Sequence, residues 1–275
     1  MARRSAEKTI PVARRAGGAL SVSPKWKQQL AALAAEDASR EPAAAGNNIS
    51  TRGHKFSLGG SVIDNPMKVI ILDYSFENAF YSEAYDPDSP ASPTCFAVAK
   101  KEDDLAPDPE KVPDPINGTC EGCENNEFGS ADSGRGKACK NGRKLALISA
   151  DVKELTPEYI AQTPVAYIRV SPSGIRHWSG YVKKLKSALD APVCGVITEL
   201  DFDPDSDQPV LTEQYVEEIT DSDLLDAILK RRAEVQDDLL AGFQPVSDQQ
   251  PRAAKKKGKV KPQPKQKEVL KKKRF

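Results

Sequence analysis

Histidine is nearly missing from this chain: of 275 residues, only His54 and His177 carry an imidazole. Proton-relay catalysis built on imidazole has little to draw on, and a Cys194–His177 nucleophile pair has no supporting signature around either residue. No run of about 18 apolar residues occurs, so no membrane span is expected. The opening residues, MARRSAEKTIPVARRAGGAL, lack the apolar centre of a secretory signal and read as a basic disordered arm. Aromatics make up 6% of the chain, which allows only a modest core, and 21 prolines with 29% charged residues point to long loops or disorder. There is no internal repeat and no regular strand–helix alternation, so a doubly wound parallel sheet is not expected.

Net charge is also missing, but only in the sum. Residues 252–275 carry 12 Lys/Arg against one acid, Glu268, and residues 1–48 carry 8 basic against 4 acidic residues. The intervening stretch holds 20 basic and 35 acidic residues. Cationic ends on an acidic body fit contact with a polyanion, the body suppressing indiscriminate adhesion. A tail that folds back on that body fits the same charges.

What is present reads as a chain of short strands. A helix is expected over 24–36, with Ser23 as cap and Trp26, Leu30 and Leu33 on one face, followed by a linker over 37–48. Order is expected from Ile49. Strands are expected in 51–61, 67–82, 94–100, 143–152, 165–171, 192–202 and 208–216, the last two paired as a hairpin. Residues 101–119, with four prolines and six acids, read as a solvated loop. A short helix is expected over 156–162. HWSGYVKKLKSAL (177–189) is clearly amphipathic, with Trp178, Tyr181, Val182, Leu185 and Leu189 on one stripe and Lys183, Lys184 and Lys186 opposite. A further helix is expected over 221–243, capped by Asp221 or Ser222, before a Pro/Lys/Gln tail. The fold class expected is mainly β (α+β): a small antiparallel barrel with a helix between strands.

The chemistry concentrates in CEGCENNEFGSADSGRGKACKNGRKLAL (120–147). Cys120 and Cys123 form a two-residue-spaced pair, Cys139 follows 16 positions after Cys123, and Cys95 lies 25 before Cys120. Four thiolates on loops and strand ends suit tetrahedral zinc, and Gly122 leaves both thiols of the pair free to turn toward one ion. A thioredoxin-like redox pair would start a helix after a strand, and this pair follows an acidic, proline-rich loop. A disulfide framework would need a secreted chain. Cys95 is the expected fourth ligand with His54 in reserve, and Cys194, inside an apolar strand, is expected in the core. Four protein ligands leave no open position, so the zinc would be structural.

Arg135, Lys137, Lys140, Arg143 and Lys144 crowd the second half of this segment. Two or three would offset the −2 of a four-thiolate zinc, and the remainder suit phosphate contact. The spacing of GSADSGRGK is not that of a Walker A loop, since Ala138 and Cys139 follow Lys137. DFDPDSDQPVLTE (201–213) lacks the glycine and terminal acid of a calcium loop and reads as a solvated acidic turn. Rings interleaved with cations let unpaired bases stack, and Phe56, Phe80, Tyr81 and Phe128 have the basic or polar neighbours for it, with Arg52 and Lys55 beside Phe56. Stacking from the strand after Val210-Leu211-Thr212 is not expected.

ISTRGHKFSLGG, KVIILDYSFENAFYSEAYDP, SPTC, the 120–147 segment and PVCGVITELDFDPDSDQPVLT, in that order, resemble a family of proteins from tailed bacteriophages, over about residues 49–216. The resemblance implies a replication- or recombination-associated single-stranded-DNA-binding protein, non-catalytic, acting in the host cytoplasm. It implies an oligonucleotide-binding (OB-like) barrel with a zinc-ribbon insertion at about 95–142, and Cys95, Cys120, Cys123 and Cys139 as ligands. The organisation expected is an arm (1–48), an OB-like core (49–220), a helix (221–243) and a disordered basic tail (244–275). One departure stands out: related single-strand binders often end in an acidic tail, whereas this chain ends in KKKGKVKPQPKQKEVLKKKRF. Two other readings stay open: a zinc-ribbon adaptor that docks a polymerase or other replication protein on its acidic body, and a metal-dependent nuclease.

Overall fold

A computed structural model describes residue 33 and residues 47–83, 92–132 and 134–243. The expected N-terminal arm and the basic tail lie outside the described residues, as does the helix over 24–36 except for Leu33.

The molecule is mainly β. Among the described residues eight strands appear: β1 (Phe56–Leu58), β2 (Ser61–Ile63), β3 (Met67–Phe80), β4 (Cys95–Ala99), β5 (Lys140–Ser149), β6 (Ala166–Val170), β7 (Val196–Phe202) and β8 (Leu211–Glu218). Four α-helices lie wholly among the described residues: α1 (Pro157–Gln162), α2 (Ile175–Leu189), α3 (Ser222–Glu234) and α4 (Gln236–Leu240). β1 and β2 form a separate hairpin, and the other six strands form one sheet, five of them in the order β6-β5-β3-β7-β8 and β4 paired to β3 off that path. Every pairing in it is antiparallel, and β7 and β8 form the expected hairpin.

The 14-residue β3 organises the sheet. β5 runs along one side of it. On the other side β7 pairs with Met67–Val69 and β4 pairs with Phe76–Phe80. The centre of β3 is a nearly continuous apolar run because both faces of the sheet are covered. On one face Trp178, Tyr181 and Leu185 of α2 bury against Val69, Ile71, Leu145, Ile168 and Leu200. On the other, Ile160 of α1, Ile228 of α3 and Leu239 of α4 bury against Ile70, Leu72, Ala146 and Ile148.

This arrangement corrects the barrel expectation. The sheet is open, with β6 and β8 at its edges. A barrel closes on its own side chains, and here the face that would have curled inward is filled by Trp178, 1% exposed, with Tyr74 edge-on to it at 5.1 Å. Helix caps behave as the sequence suggests. Thr156 Oγ1 accepts from the Tyr159 amide and Asp221 Oδ1 accepts from the Leu224 amide. The expected single helix over 221–243 is split, with Val235 as the C-cap of one piece and the N-cap of the next.

A register shift between Ile71 and Asp73 marks a bulge in β3. Ile70 and Leu72 point to the α3–α4 face, and the extra residue lets Asp73 point there too. Asp73 accepts from Lys100 at 2.9 Å and Gln236 at 2.8 Å, with Arg232 at 3.4 Å. Burial pushes its carboxyl up, but the hydrogen bonds from Gln236 and Lys100, the Tyr74 amide and the Arg232 charge together hold it below the usual carboxylate range. Ser75 Oγ donates to Leu239 O on the same face. These polar ties carry the C-terminal helices toward the far end of β3, where Phe243 packs on Phe96 with ring centroids 5.3 Å apart. Gly242 there has φ +78°, and an added Cβ would lie 2.8 Å from the Phe96 ring, so the turn requires glycine.

Candidate metal centre and nucleic-acid face

The far end of β3 is where the cysteines meet. Cys95, the first residue of β4, pairs with Phe80, and Lys140, the first residue of β5, pairs with Ala79. Cys95 and Cys139 therefore flank the tip of β3 from its two neighbouring strands. The chain between them leaves the sheet after β4 and returns at β5, carrying Cys120 and Cys123 over that tip.

Hydrogen bonds fold the excursion back on the sheet. The Cys120 amide donates to Leu105 O at 3.0 Å, and the Cys139 amide to Asn125 O at 2.7 Å. The Asn126 amide donates to Cys123 O at 2.8 Å, and Asn126 Nδ2 to Cys120 O at 2.8 Å. Asn141 Nδ2 reaches both Asn126 Oδ1 and Asn78 Oδ1, so three asparagines from β3, β5 and the loop join loop to sheet. Gly122, between the paired cysteines, has φ +69°, the left-handed turn that the spacer was expected to allow.

All four cysteines line one pocket of about 20 Å³, with Asn78 and Phe80 in its wall. That is room for about one water-sized body. Burial, with the neighbouring Cys120, Cys123 and Cys95 sulfurs adding to it, pushes the Cys139 thiol up to about 12. Burial also pushes Cys120 up, a hydrogen bond from Asn78 opposing it. The sulfurs converge without finished coordination: among the described residues no group of three or more His, Cys, Asp or Glu side chains stands ready to hold an ion. The fit to zinc is one of donor type and convergence, four soft sulfur donors around an ion-sized space.

The reserve ligand and the fifth cysteine are elsewhere. His54 Nε2 lies 3.0 Å from Ser206 O and 3.1 Å from Gln208 O, at the β7–β8 turn, which removes it as a reserve ligand. Cys194 is buried in the core under α3, as expected.

The expected nucleic-acid residues separate into two groups. Phe128 stands on the cysteine loop with its ring 83% exposed, and Lys137 Nζ lies 5.5 Å from the ring centroid. Lys137 is itself oriented by donating to Asn126 Oδ1. Arg135 and Lys140 are exposed nearby in the chain, and Tyr81, just beyond the β3 tip, is 38% exposed. These five residues belong to the cysteine end.

The others do not form this face. Phe56 is fully buried and stacked on Phe202 at 4.5 Å, because the β1–β2 hairpin closes the core there. Arg52 and Lys55 are exposed beside it, at the opposite end of the sheet. Arg143 is 6% exposed, lies 3.8 Å over the Phe76 ring and pairs with Glu102. Lys144 donates to Asp238 O at 2.7 Å and lies over Tyr167. Both serve the interior, since alternate strand positions point to faces that are covered here. Phe80 is half-buried and forms wall of the cysteine pocket.

One exposed ring escaped the sequence reading. Tyr215 in β8 is 38% exposed and lines a groove against α2. The acids around it masked it, and the available signal was the alternation Leu211, Glu213, Tyr215.

An open antiparallel sheet between helices, with a four-cysteine loop at one end, is the class these observations define. Comparison with protein-family models, curated proteins and solved structures found no match. Among the described residues no helix is long and apolar enough to cross a membrane.

Proposed function

We propose that this protein binds single-stranded DNA without turnover, through the cysteine-loop end, with a structural zinc held by Cys95, Cys120, Cys123 and Cys139. The observation that carries the reading is Phe128: a large ring held 83% exposed on a hydrogen-bonded loop, with a lysine over it. An apolar ring presented this way gains no burial on folding, so its area is left for a ligand to cover, and an unpaired base offers a π-face.

Three further features support it. Lys137 and Lys140 stand on the same loop as phosphate partners. Tyr81 offers a second ring. The last described residue, Phe243, packs on Phe96 next to Cys95, so the chain heads from this end into a tail with 12 Lys/Arg in residues 252–275. Zinc, when bound, supplies a crosslink between two strand ends and a loop, and four sulfur ligands leave it no reactive position. The ring and cations do the binding: Phe128 and Tyr81 stack, and the lysines meet phosphate. The resemblance to phage proteins suggests DNA replication or recombination in the host cytoplasm as the setting, with other replication proteins as further partners.

The test is a titration of fluorescent oligo(dT) against duplex of equal length, with and without residues 252–275, over a range of salt. Tight single-strand binding that survives tail removal and weakens steeply with salt is expected, because counterions are released as phosphates are neutralised. Binding lost entirely with the tail would favour an adaptor that docks a replication protein on its acidic body. Magnesium-dependent cleavage would favour a nuclease.

A further inference from the structure

At the end of the sheet remote from the cysteines, α2 and the edge strand β8 leave a groove of about 490 Å³ between them. Its helix wall carries His177, Lys184 and Leu185, and its strand wall carries Glu213 and Tyr215. Glu213 is anomalous. Both carboxyl oxygens are screened from solvent and neither has a hydrogen-bond partner. Buried polar groups are almost always paired, so an orphaned carboxyl in the wall of a groove calls for a ligand that completes it.

The other groups narrow the ligand. Tyr215 presents an accessible ring on the same face of β8 as Glu213. Lys184 is exposed on the helix wall, with Lys183 beside it and Arg176 and His177 both about two turns back. Tyr181, behind them, is fixed by its hydroxyl against Thr198 Oγ1 at 2.7 Å, so the floor is rigid. Glu213 is the one acid in the lining. Burial pushes that carboxyl up to about 8, with only its own backbone amide, which lies outside hydrogen-bonding geometry, opposing the rise. At neutral pH it is therefore mostly a neutral acid, which does not repel phosphate and offers an O–H donor beside a carbonyl acceptor.

We propose that this groove takes one nucleotide unit of a single strand, its base against Tyr215, its base edge meeting Glu213 and its phosphate facing Lys184 and His177. A nucleobase edge offers a donor and an acceptor side by side, which is the complement the carboxyl lacks. Ring, acid and cation are thus matched to base face, base edge and phosphate. Because the carboxyl oxygens are screened, the base meets them only as the side chain turns outward. The choice of ligand rests on the strand-binding reading, but the groove is far from the cysteine loop and is a second contact.

The experiment uses the full chain and oligo(dT) carrying 4-thiothymidine, with crosslinked peptides identified by mass spectrometry. Affinities are measured for Tyr215→Ala, Tyr215→Phe, Glu213→Leu and Glu213→Gln, each checked for an unchanged far-UV spectrum and a thermal midpoint no lower than that of the unaltered chain. Crosslinks to the β8 peptide are expected. Affinity is expected to fall about tenfold in Tyr215→Ala and severalfold in Glu213→Leu. Tyr215→Phe, which keeps the ring, and Glu213→Gln, which keeps one donor and one acceptor, are expected to retain it. Tight oligo(dT) binding with crosslinks confined to the cysteine loop would overturn the groove and leave the strand-binding reading standing. If oligo(dT) does not bind, that reading fails, and thymidine 5′-monophosphate decides the groove alone: saturable binding abolished by Tyr215→Ala supports it, and no binding overturns it.

Discussion

At Met67–Val69, strand β3 lies between β5 and β7, and Met67 and Val69 enter the apolar layer under α2 while Lys68 is exposed. At Phe76–Phe80 the same strand lies between β5 and β4, and its neighbours are of another kind. Glu77 and Asn78 are buried there, opposite Gly142 and Asn141 of β5, and the buried Arg143 and Lys144 stand opposite Phe76 and Ser75. The apolar groups are small: Ala79, Phe96 and Val112 in one cluster, and Ala97, Ala99 and Leu105 in another. One continuous strand thus begins in a hydrophobic core and ends in a polar lattice. The first end is held by area removed from water, which needs no exact geometry. The second is held by paired polar groups, such as Glu77 with Arg169 at 2.8 Å, which hold only while every partner is in place. An end of that kind gains most from a crosslink, and it is where the four cysteines gather.

Removing the proposed ion breaks this comparison most severely. Structural zinc contributes about 10–16 kcal/mol in small zinc-finger peptides, far more than the small clusters at this end. Chelation, or Cys139→Ser, is expected to release residues 100–139 to rapid hydrogen exchange and to abolish oligo(dT) binding by the loop. The sheet under α2 is expected to keep its protection. Elemental analysis checks the premise, with one zinc per chain expected. A purified, binding-competent chain free of metal would sink the crosslink account.

The reciprocal change is Trp178→Ala at the apolar end. Trp178 is 1% exposed and joins α2 to Tyr74 and Tyr181. Loss of about 3–5 kcal/mol is expected from urea unfolding, since large-to-small changes add a cavity to the lost transfer energy. Metal content at the other end is expected to be unaffected in the folded fraction. Equal sensitivity of both ends to both changes would mean that the two ends do not differ in the way described.

How much of this was legible beforehand follows the same division. Strand and helix positions were readable because apolar period reports directly on burial, as in Trp178, Tyr181 and Leu185 at helical spacing. Closure was not readable: whether six strands curl or stay open depends on what fills the concave face, and nothing local in α2 says that it lies across the sheet. The grouping of the cysteines was readable from spacing and glycine content. The fate of nearby cations was not. Arg143 and Lys144 look like Lys137 and Lys140 in sequence, yet strand pairing turns the first two inward, under Glu102 and Asp238. Phe56 misled for a similar reason, since its basic neighbours sit on a hairpin whose own ring plugs the core.

A smaller effect is expected from Phe128→Ala, which separates binding from stability at the polar end. The ring is 83% exposed, so its removal is expected to leave the thermal midpoint within experimental error. Oligo(dT) affinity is expected to weaken by about 1–3 kcal/mol, the usual worth of one base–aromatic stack. Unchanged affinity would leave the exposed ring without the role proposed for it.

The subtlest test lies at the apolar end, in the one carboxyl that its groove buries without a partner. Glu213 titrates near 8 in the folded chain and near 4.5 when free, so between those values the folded state holds the proton more tightly than the unfolded state. Its contribution to stability therefore falls as pH rises from about 4.5 to about 8 and is flat on either side. Glu213→Gln keeps the shape and cannot ionise, and the groups that face it, His177, Tyr181, Lys184 and Tyr215, are the same in both proteins. Relative to the unaltered chain, the variant's thermal midpoint is expected to climb steadily across that interval and to hold a constant offset above it. A difference independent of pH would mean that Glu213 is solvated or paired in solution, and the argument from an orphaned carboxyl to a ligand would lose its starting point.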